Sequence, residues 1–167
     1  MKKLLTADAY INSIYDITAD DLKRHGIYGL ILDIDNTLVA THTKEADEKV
    51  ISYIKSLNNQ GIKTVIVSNA RKERVELFSK PFNIEYVYKA SKPLGRGFNL
   101  AIEKMGLAKE QVAIVGDQLF TDVLGGNLKG IHSILIKPID PKEPWPIRLK
   151  RIFEKPFLSK KEFKDKY

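Results

Sequence analysis

Leu30–Val39 reads LILDIDNTLV, and its two carboxylates, Asp33 and Asp35, stand in an otherwise apolar run with one isoleucine between them. Like charges repel, and each resists transfer out of water into an apolar setting. Such a pair calls for a nearby cation, a chemical use, or both. The stretch that leads into it, YGLILDID (Tyr28–Asp35), is almost continuously apolar, as a strand buried on both faces reads. Residues two apart on a strand project to the same side, so the spacing predicts that Asp33 and Asp35 face one point.

Outward from this strand the same pattern repeats. IKTVIVSN (Ile62–Asn69), EYVYK (Glu85–Lys89), QVAIVGD (Gln111–Asp117) and IHSILIK (Ile131–Lys137) read as four further strands. Helical segments separate them. Lys44–Gln60 places Val50, Ile54 and Leu57 on one face and is stopped by Gly61. Arg71–Ser79, Leu94–Gly106 and the glycine-weakened Phe120–Gly130 supply the others. Strands alternating with helices predict an α/β fold, a three-layer, Rossmann-like, doubly wound parallel sheet with helices on both faces. The domain is expected to span residues 1–137, with 1–27 as a helical lead-in. A proline-rich and then basic extension follows over 138–167.

The polar residues gather where these strands end. The first supplies Asp33 and Asp35, the second Ser68 and Asn69, and the fourth leads into GDQLFTD with Asp117 and Asp122. Lys92 follows the third strand closely. In a parallel sheet all of these arrive at one edge. Four carboxylates there need a cation, and oxygen ligands of this kind suit Mg²⁺. A lysine and a serine hydroxyl beside the metal suit a phosphate group. The implied chemistry is phosphoryl transfer: a carboxylate attacks phosphorus in place of water, and a second carboxylate protonates the leaving oxygen. Arg71 and Arg96 lie close enough in sequence to these residues to be candidate substrate contacts, although a solvated helix start accounts better for Arg71 and a plain loop position accounts equally for Arg96. The three histidines, His25, His42 and His132, show no metal-ligand spacing.

Composition bounds the setting. The chain has 167 residues and 43% hydrophobic content, enough for one domain with a real core. It contains no cysteine, which excludes a disulfide framework or a thiolate metal site. The opening MKKLL resembles a signal-peptide head, but the polar TADAYINSIYD that follows does not continue it. A soluble, cytoplasmic protein is expected. The net charge of +7 is concentrated in residues 148–167, where eight Lys/Arg face three acids. Such a tail suits an anionic partner. In PWPIRLKRIFEKPF (Pro144–Phe157), Trp145, Leu149, Ile152 and Phe153 recur at helical spacing among Arg148, Lys150, Arg151 and Lys155. A basic amphipathic segment of this kind can lie on an anionic bilayer, pack on a partner, or fold back on the domain.

DIDNT (Asp33–Thr37), Ser68-Asn69, Lys92-Pro93 and GDQLFTD (Gly116–Asp122) together resemble the four ordered motifs of the haloacid dehalogenase superfamily of phosphatases, subfamily IIIA. The resemblance implies that Asp33 is the nucleophile and a Mg²⁺ ligand. It makes Asp35 the general acid/base, with its backbone carbonyl on the metal, and Thr37 a support for the loop. Ser68 and Lys92 would hold the transferring phosphate, with Asn69 positioned near it. Asp117 and Asp122 would complete the metal shell. Large caps in this superfamily are inserted between its motifs, and here the intervals leave no room for one. An open site is therefore expected, suited to a phosphate on a protein, a nucleic-acid end or a lipid headgroup. More narrowly, YINSIYDIT, GLILDIDNTLV and VGDQLFTDVLGGN resemble the YqeG-like branch. That branch implies dephosphorylation of phosphatidylglycerophosphate to phosphatidylglycerol, a phospholipid headgroup as partner rather than nucleic acid, and peripheral contact with the inner face of the cell membrane. A phosphatase for a soluble monoester and a non-enzymatic adaptor for anionic surfaces are the alternatives. A lone Asp-x-Asp could also serve a glycosyltransferase, and an acceptor aspartate a phospho-receiver. The motif order and the first-strand position of the pair favour turnover.

Overall fold

The apolar runs assemble into a wholly parallel, six-stranded sheet. The computed structural model describes residues 4–167. Its strands are β1 (Ala9–Ile11), β2 (Gly29–Leu32), β3 (Lys63–Val67), β4 (Glu85–Val87), β5 (Val112–Gly116) and β6 (His132–Ile136). They lie in the order β1-β6-β5-β2-β3-β4, which puts β2 and β5 at the centre. The helices are α1 (Ala19–Arg24), α2 (Glu48–Asn59), α3 (Lys72–Ser79), α4 (Gly97–Met105), α5 (Leu124–Lys129) and α6 (Trp145–Leu158).

Strand alternation feeds two separate cores. Leu30 and Leu32 of β2 pack with Val50, Ile54 and Leu57 of α2, while Ile31 between them packs with Phe98, Ala101 and Met105 of α4. β3 and β5 divide their side chains between the same two cores. Burial on both faces is why these strands lack a polar face in sequence. Helix ends obey local chemistry. The Asp47 carboxylate caps α2 by accepting from the Val50 amide at 2.9 Å, and Gly61, at φ +86°, carries the chain away from its C-terminus.

Three features differ from the sequence expectations. The helical lead-in over residues 1–27 is corrected, its first three residues lying outside the described part. Ala9–Ile11 is a strand on the sheet edge, with Ala9 opposite Ile134, and Ala19–Arg24 is the single α-helix among the described residues of this stretch. Three residues are too few for alternation to show, and their partner is at the far end of the domain. Second, β2 ends at Leu32, and Asp35 sits in a tight loop in which Asn36 adopts φ +59° and its amide donates to Val39 O at 2.7 Å. The turn, rather than strand alternation, brings Asp35 beside Asp33. Third, the segment after β5 begins as a wide π-type turn over Leu119–Val123 before α5.

The tail folds back on the sheet domain. The inner face of α6 meets the turn after β5, and Lys164 bridges to Ile11 of the edge strand. Among the described residues no helix is long and apolar enough to cross a membrane.

Candidate active site

Every strand of a parallel sheet delivers its C-terminal end to the same edge, and the site forms there. Asp33 follows β2 and remains tied to it through its amide, which donates to Val115 O at 3.2 Å. Ser68 and Asn69 follow β3, Asp117 follows β5, and Asp122 comes from the wide turn. Lys92 arrives on the loop after β4. Its ammonium donates to Asp33 Oδ1 at 2.6 Å and to Asp122 Oδ1 at 2.7 Å. All three side chains are almost wholly buried. One carboxylate oxygen each from Asp33, Asp117 and Asp122 lie within 4.8 Å of one another.

Above this cluster is a cavity of about 200 Å³ lined by Asp33, Asp35, Ser68, Asn69, Ala70, Lys92, Gln118, Thr121, Ile147 and Lys150. It is smaller than the pockets that enclose whole organic ligands and has room for a phosphate group.

The remaining expected residues divide. Thr37 is fully buried and its hydroxyl lies 3.5 Å from Asp117 Oδ1, a long contact that fits loop support. Asn69 clamps the Lys92 backbone, accepting from its amide at 2.8 Å and donating to its carbonyl at 3.4 Å. It therefore holds the lysine loop as well as lining the cavity. The Ser68 hydroxyl accepts from the Ala70 amide at 3.1 Å, which fixes its oxygen at the cavity wall. Arg71 and Arg96 are exposed at the first turns of α3 and α4 and line no part of the cavity. Arg74, one turn beyond Arg71, contacts Asp35 instead. It donates to Asp35 Oδ1 at 3.0 Å and to Lys44 O at 2.7 Å. Helical spacing marks Arg71 and Arg74 as near neighbours on α3, but only the helix orientation decides between them. Ile147, Lys150 and Arg151 belong to α6, where the sequence marks Lys150 and Arg151 only as cations of the amphipathic tail and does not single out Ile147. Ile147 and Lys150 line the cavity, and Arg151 pairs with Asp117.

The electrostatics show a surplus of negative charge. Burial pushes the Asp33 carboxyl up to about 7, and Asp122 and Asp35 push the same way against Lys92. Burial likewise drives Asp117 well above the usual carboxylate range, opposed by Arg151 and reinforced by Asp33 and Asp122. Burial disfavours the Lys92 ammonium, but Asp122 and Asp33 outweigh it and hold that group above the ordinary lysine value. Lys92 and Arg151 are two cations against the three carboxylates of Asp33, Asp117 and Asp122, and Arg74 is engaged by Asp35. Gln118 adds a buried side-chain oxygen with no hydrogen-bond partner among the described residues, at the same cavity. An all-oxygen donor set with excess negative charge fits a hard divalent cation, with Asp33, Asp117 and Asp122 as its carboxylates.

The family model of the haloacid dehalogenase-like hydrolases matches residues 38–128, which take in β3 to α5. This protein belongs to that family. The match starts just past Asp33, Asp35 and Thr37, so the first-motif residues rest on the geometry above. This hydrolase is 42% identical over 159 residues to the probable phosphatase YqeG of Bacillus subtilis (strain 168), covering 95% of this chain and 92% of that one. It is 28% identical over 151 residues to phosphatidylglycerophosphate phosphatase 1, chloroplastic/mitochondrial, of Arabidopsis thaliana, of which only 43% is covered. Its fold superimposes on the cobalt-bound deoxy-D-mannose-octulosonate 8-phosphate phosphatase of Haemophilus influenzae with a TM-score of 0.56 at 16% identity, covering 82% of this chain and 90% of that one. That likeness concerns the fold.

Proposed function

We propose that this hydrolase is a Mg²⁺-dependent phosphomonoesterase working through an aspartyl-phosphate at Asp33. The observation that carries the reading is the Lys92 ammonium seated between Asp33 and Asp122 at the floor of a cavity with room for a phosphate group. Phosphate oxygens of the substrate meet Lys92 and the Ser68 hydroxyl. An Asp33 oxygen attacks phosphorus, the bond to the alcohol oxygen breaks, and Asp35 gives that oxygen a proton. Asp35, now a carboxylate, takes a proton from water. The water oxygen attacks phosphorus, releasing inorganic phosphate and restoring Asp33. A divalent cation held by Asp33, Asp117 and Asp122 would offset the repulsion between carboxylate and phosphate.

The substrate we favour is phosphatidylglycerophosphate, taken from the anionic inner surface of the cell membrane. Likeness to the Arabidopsis enzyme supports this, and so does the outer face of α6. Trp145 (71% exposed), Ile152 (59%) and Phe153 (60%) stand in solvent with Leu149 and Phe157. Arg148, Lys150 and Lys155 are exposed beside them. Each basic residue near an anionic bilayer contributes about 1 kcal/mol, so such a cluster holds a protein at a surface without a spanning helix. The same helix lines the cavity through Ile147 and Lys150, so a docked α6 would bring the cavity mouth to the lipid headgroups.

The test is phosphate release with Mg²⁺ from phosphatidylglycerophosphate in mixed micelles, beside a panel of soluble monoesters. Preference for the lipid supports both parts of the reading. Preference for a soluble ester retains the chemistry and removes the lipid. No release from any ester, by protein that binds Mg²⁺, would sink the reaction itself.

A further inference from the structure

Arg151 belongs to the basic tail in sequence, yet its side chain turns away from solvent. A guanidinium has five N–H donors, and all of them are used. Nε donates to Glu143 Oε2 at 3.0 Å. Nη1 donates to the Asp117 carbonyl at 2.6 Å and to Glu154 Oε2 at 3.1 Å. Nη2 donates to Glu143 Oε1 at 2.6 Å and to the Asp117 carboxylate. Asp117 and Glu154 are fully enclosed and Glu143 nearly so.

The partners of Arg151 extend the grip. The other oxygen of Glu154 accepts from the Leu119 amide at 2.7 Å and the Phe120 amide at 3.3 Å. These amides lie between Asp117 and Asp122. Glu143 Oε1 also accepts from Asn36 Nδ2 at 2.8 Å, and Asn36 sits between Asp35 and Thr37. One side chain from α6 is therefore bonded into both segments that bear the site carboxylates.

We propose that Arg151 is a positioning residue of the hydrolytic site, holding Asp117 and the 117–122 turn in the arrangement that receives a divalent cation. This rests on the reading that Asp33, Asp117 and Asp122 hold that cation. A buried ion network that only fastened the tail could be met by many other contacts. This one ends on the backbone and side chain of Asp117 itself. Lysine, with three donors at a single point, cannot reproduce the fork.

The test compares the full-length protein with Arg151→Lys and Arg151→Gln, using three readouts. These are thermal unfolding, Mn²⁺ binding followed by the electron paramagnetic resonance of free Mn²⁺, and kcat and KM on para-nitrophenyl phosphate. Both variants are expected to bind Mn²⁺ about tenfold more weakly and to lose about tenfold in kcat with KM little changed, the size typical of lost support to a metal ligand. Variants that unfold earlier but, while folded, match the parent in Mn²⁺ affinity and kcat would reduce Arg151 to a fastener and overturn the proposal. Should neither variant fold, Glu143→Gln loosens the anchor of Arg151 and leaves its contact with Asp117. A smaller loss in the same two readouts supports the proposal, and a change in unfolding alone overturns it. A parent protein that binds no Mn²⁺ removes the underlying functional reading as well, which unchanged variants of a Mn²⁺-binding parent would not.

Discussion

Lys92 is the side chain on which the site balances, because its ammonium is shared by two buried carboxylates that would otherwise repel. Replacing Asp33 with Asn leaves Lys92 paired with Asp122 and removes the nucleophile. Turnover is expected to fall by roughly a thousandfold or more while the circular dichroism spectrum is kept. Asp33 also sets a pH dependence of stability. Its carboxyl is raised by burial from 3.8 to about 7 in the metal-free fold, so the folded state binds the proton more tightly than the unfolded chain. The resulting stabilisation is present at acid pH and is lost as pH rises through about 7. Burial pushes Glu143 upward, but the hydrogen bond from Arg151, the charge of that guanidinium and the hydrogen bond from Asn36 together outweigh it, so its contribution has the opposite sign and is lost toward acid pH. In EDTA, the midpoint of thermal unfolding should therefore decline as pH rises from 3.8 to about 7, the interval between the unfolded and folded values of Asp33. Asp33→Asn should lessen that decline, with the part owed to the raised Asp117 carboxyl remaining. At this scale the sequence was most legible where a strand end alone places the residue, as for Asp33, Ser68 and Asp117. It was least legible where helix rotation chooses between neighbours, as for Arg71 and Arg74.

At the scale of the element, β5 shows how close the packing around the site is. A Cβ added at Gly116 would come within 2.2 Å of Asp122 Cγ. Gly116→Ala is expected to displace the Asp122 carboxylate and cut kcat at least tenfold, an effect of the size seen when a metal site loses its support. α6 has two faces of different character. Trp145, Leu149, Ile152 and Phe153 point out, while Ile147, Arg151, Glu154 and Leu158 turn in. Periodicity grouped Trp145, Leu149, Ile152 and Phe153 on one stripe and left open what it meets, and it set Arg151 among the tail's basic residues, since nothing local reveals that Asp117 waits opposite. Removing the helix would thus damage the site along with any lipid contact. The sharper change is Trp145, Ile152 and Phe153 together to Ser. Activity on anionic vesicles should fall about tenfold or more, because each large apolar side chain withheld from a bilayer forfeits roughly 1.5–3 kcal/mol, while activity on a soluble ester is kept. Equal losses on both substrates would count against lipid docking.

Across the whole molecule, β1 and the segment around Lys164 meet at one sheet edge although they are far apart in sequence. β1 extends the sheet beyond β6, and Lys164 bridges to Ile11. Tyr167 stacks near His25 with ring centroids 4.7 Å apart and hydrogen-bonds His132 Nε2 at 2.9 Å. An open edge of three residues gains little stability by itself, and the tail covers it. Deleting residues 159–167 is expected to lower the unfolding midpoint by about 5–10 °C, read by calorimetry, with kcat at 25 °C retained. The parallel sheet and its central strands were legible from their apolar runs. The closed edge was not, because it is made by short segments whose only signal is each other.

The position of Arg151 so late in the chain has a consequence during synthesis. Ribosomes deliver a protein from its N-terminus, and domains fold as units as they emerge. β6 completes the sheet at Ile136, before any of α6 has been made. A nascent chain can therefore acquire its architecture while Asp117 still lacks its guanidinium. Full competence would then arrive as a distinct last event, so a chain cut between Ile136 and Arg151 and released should fold with weaker divalent-cation binding and reduced turnover.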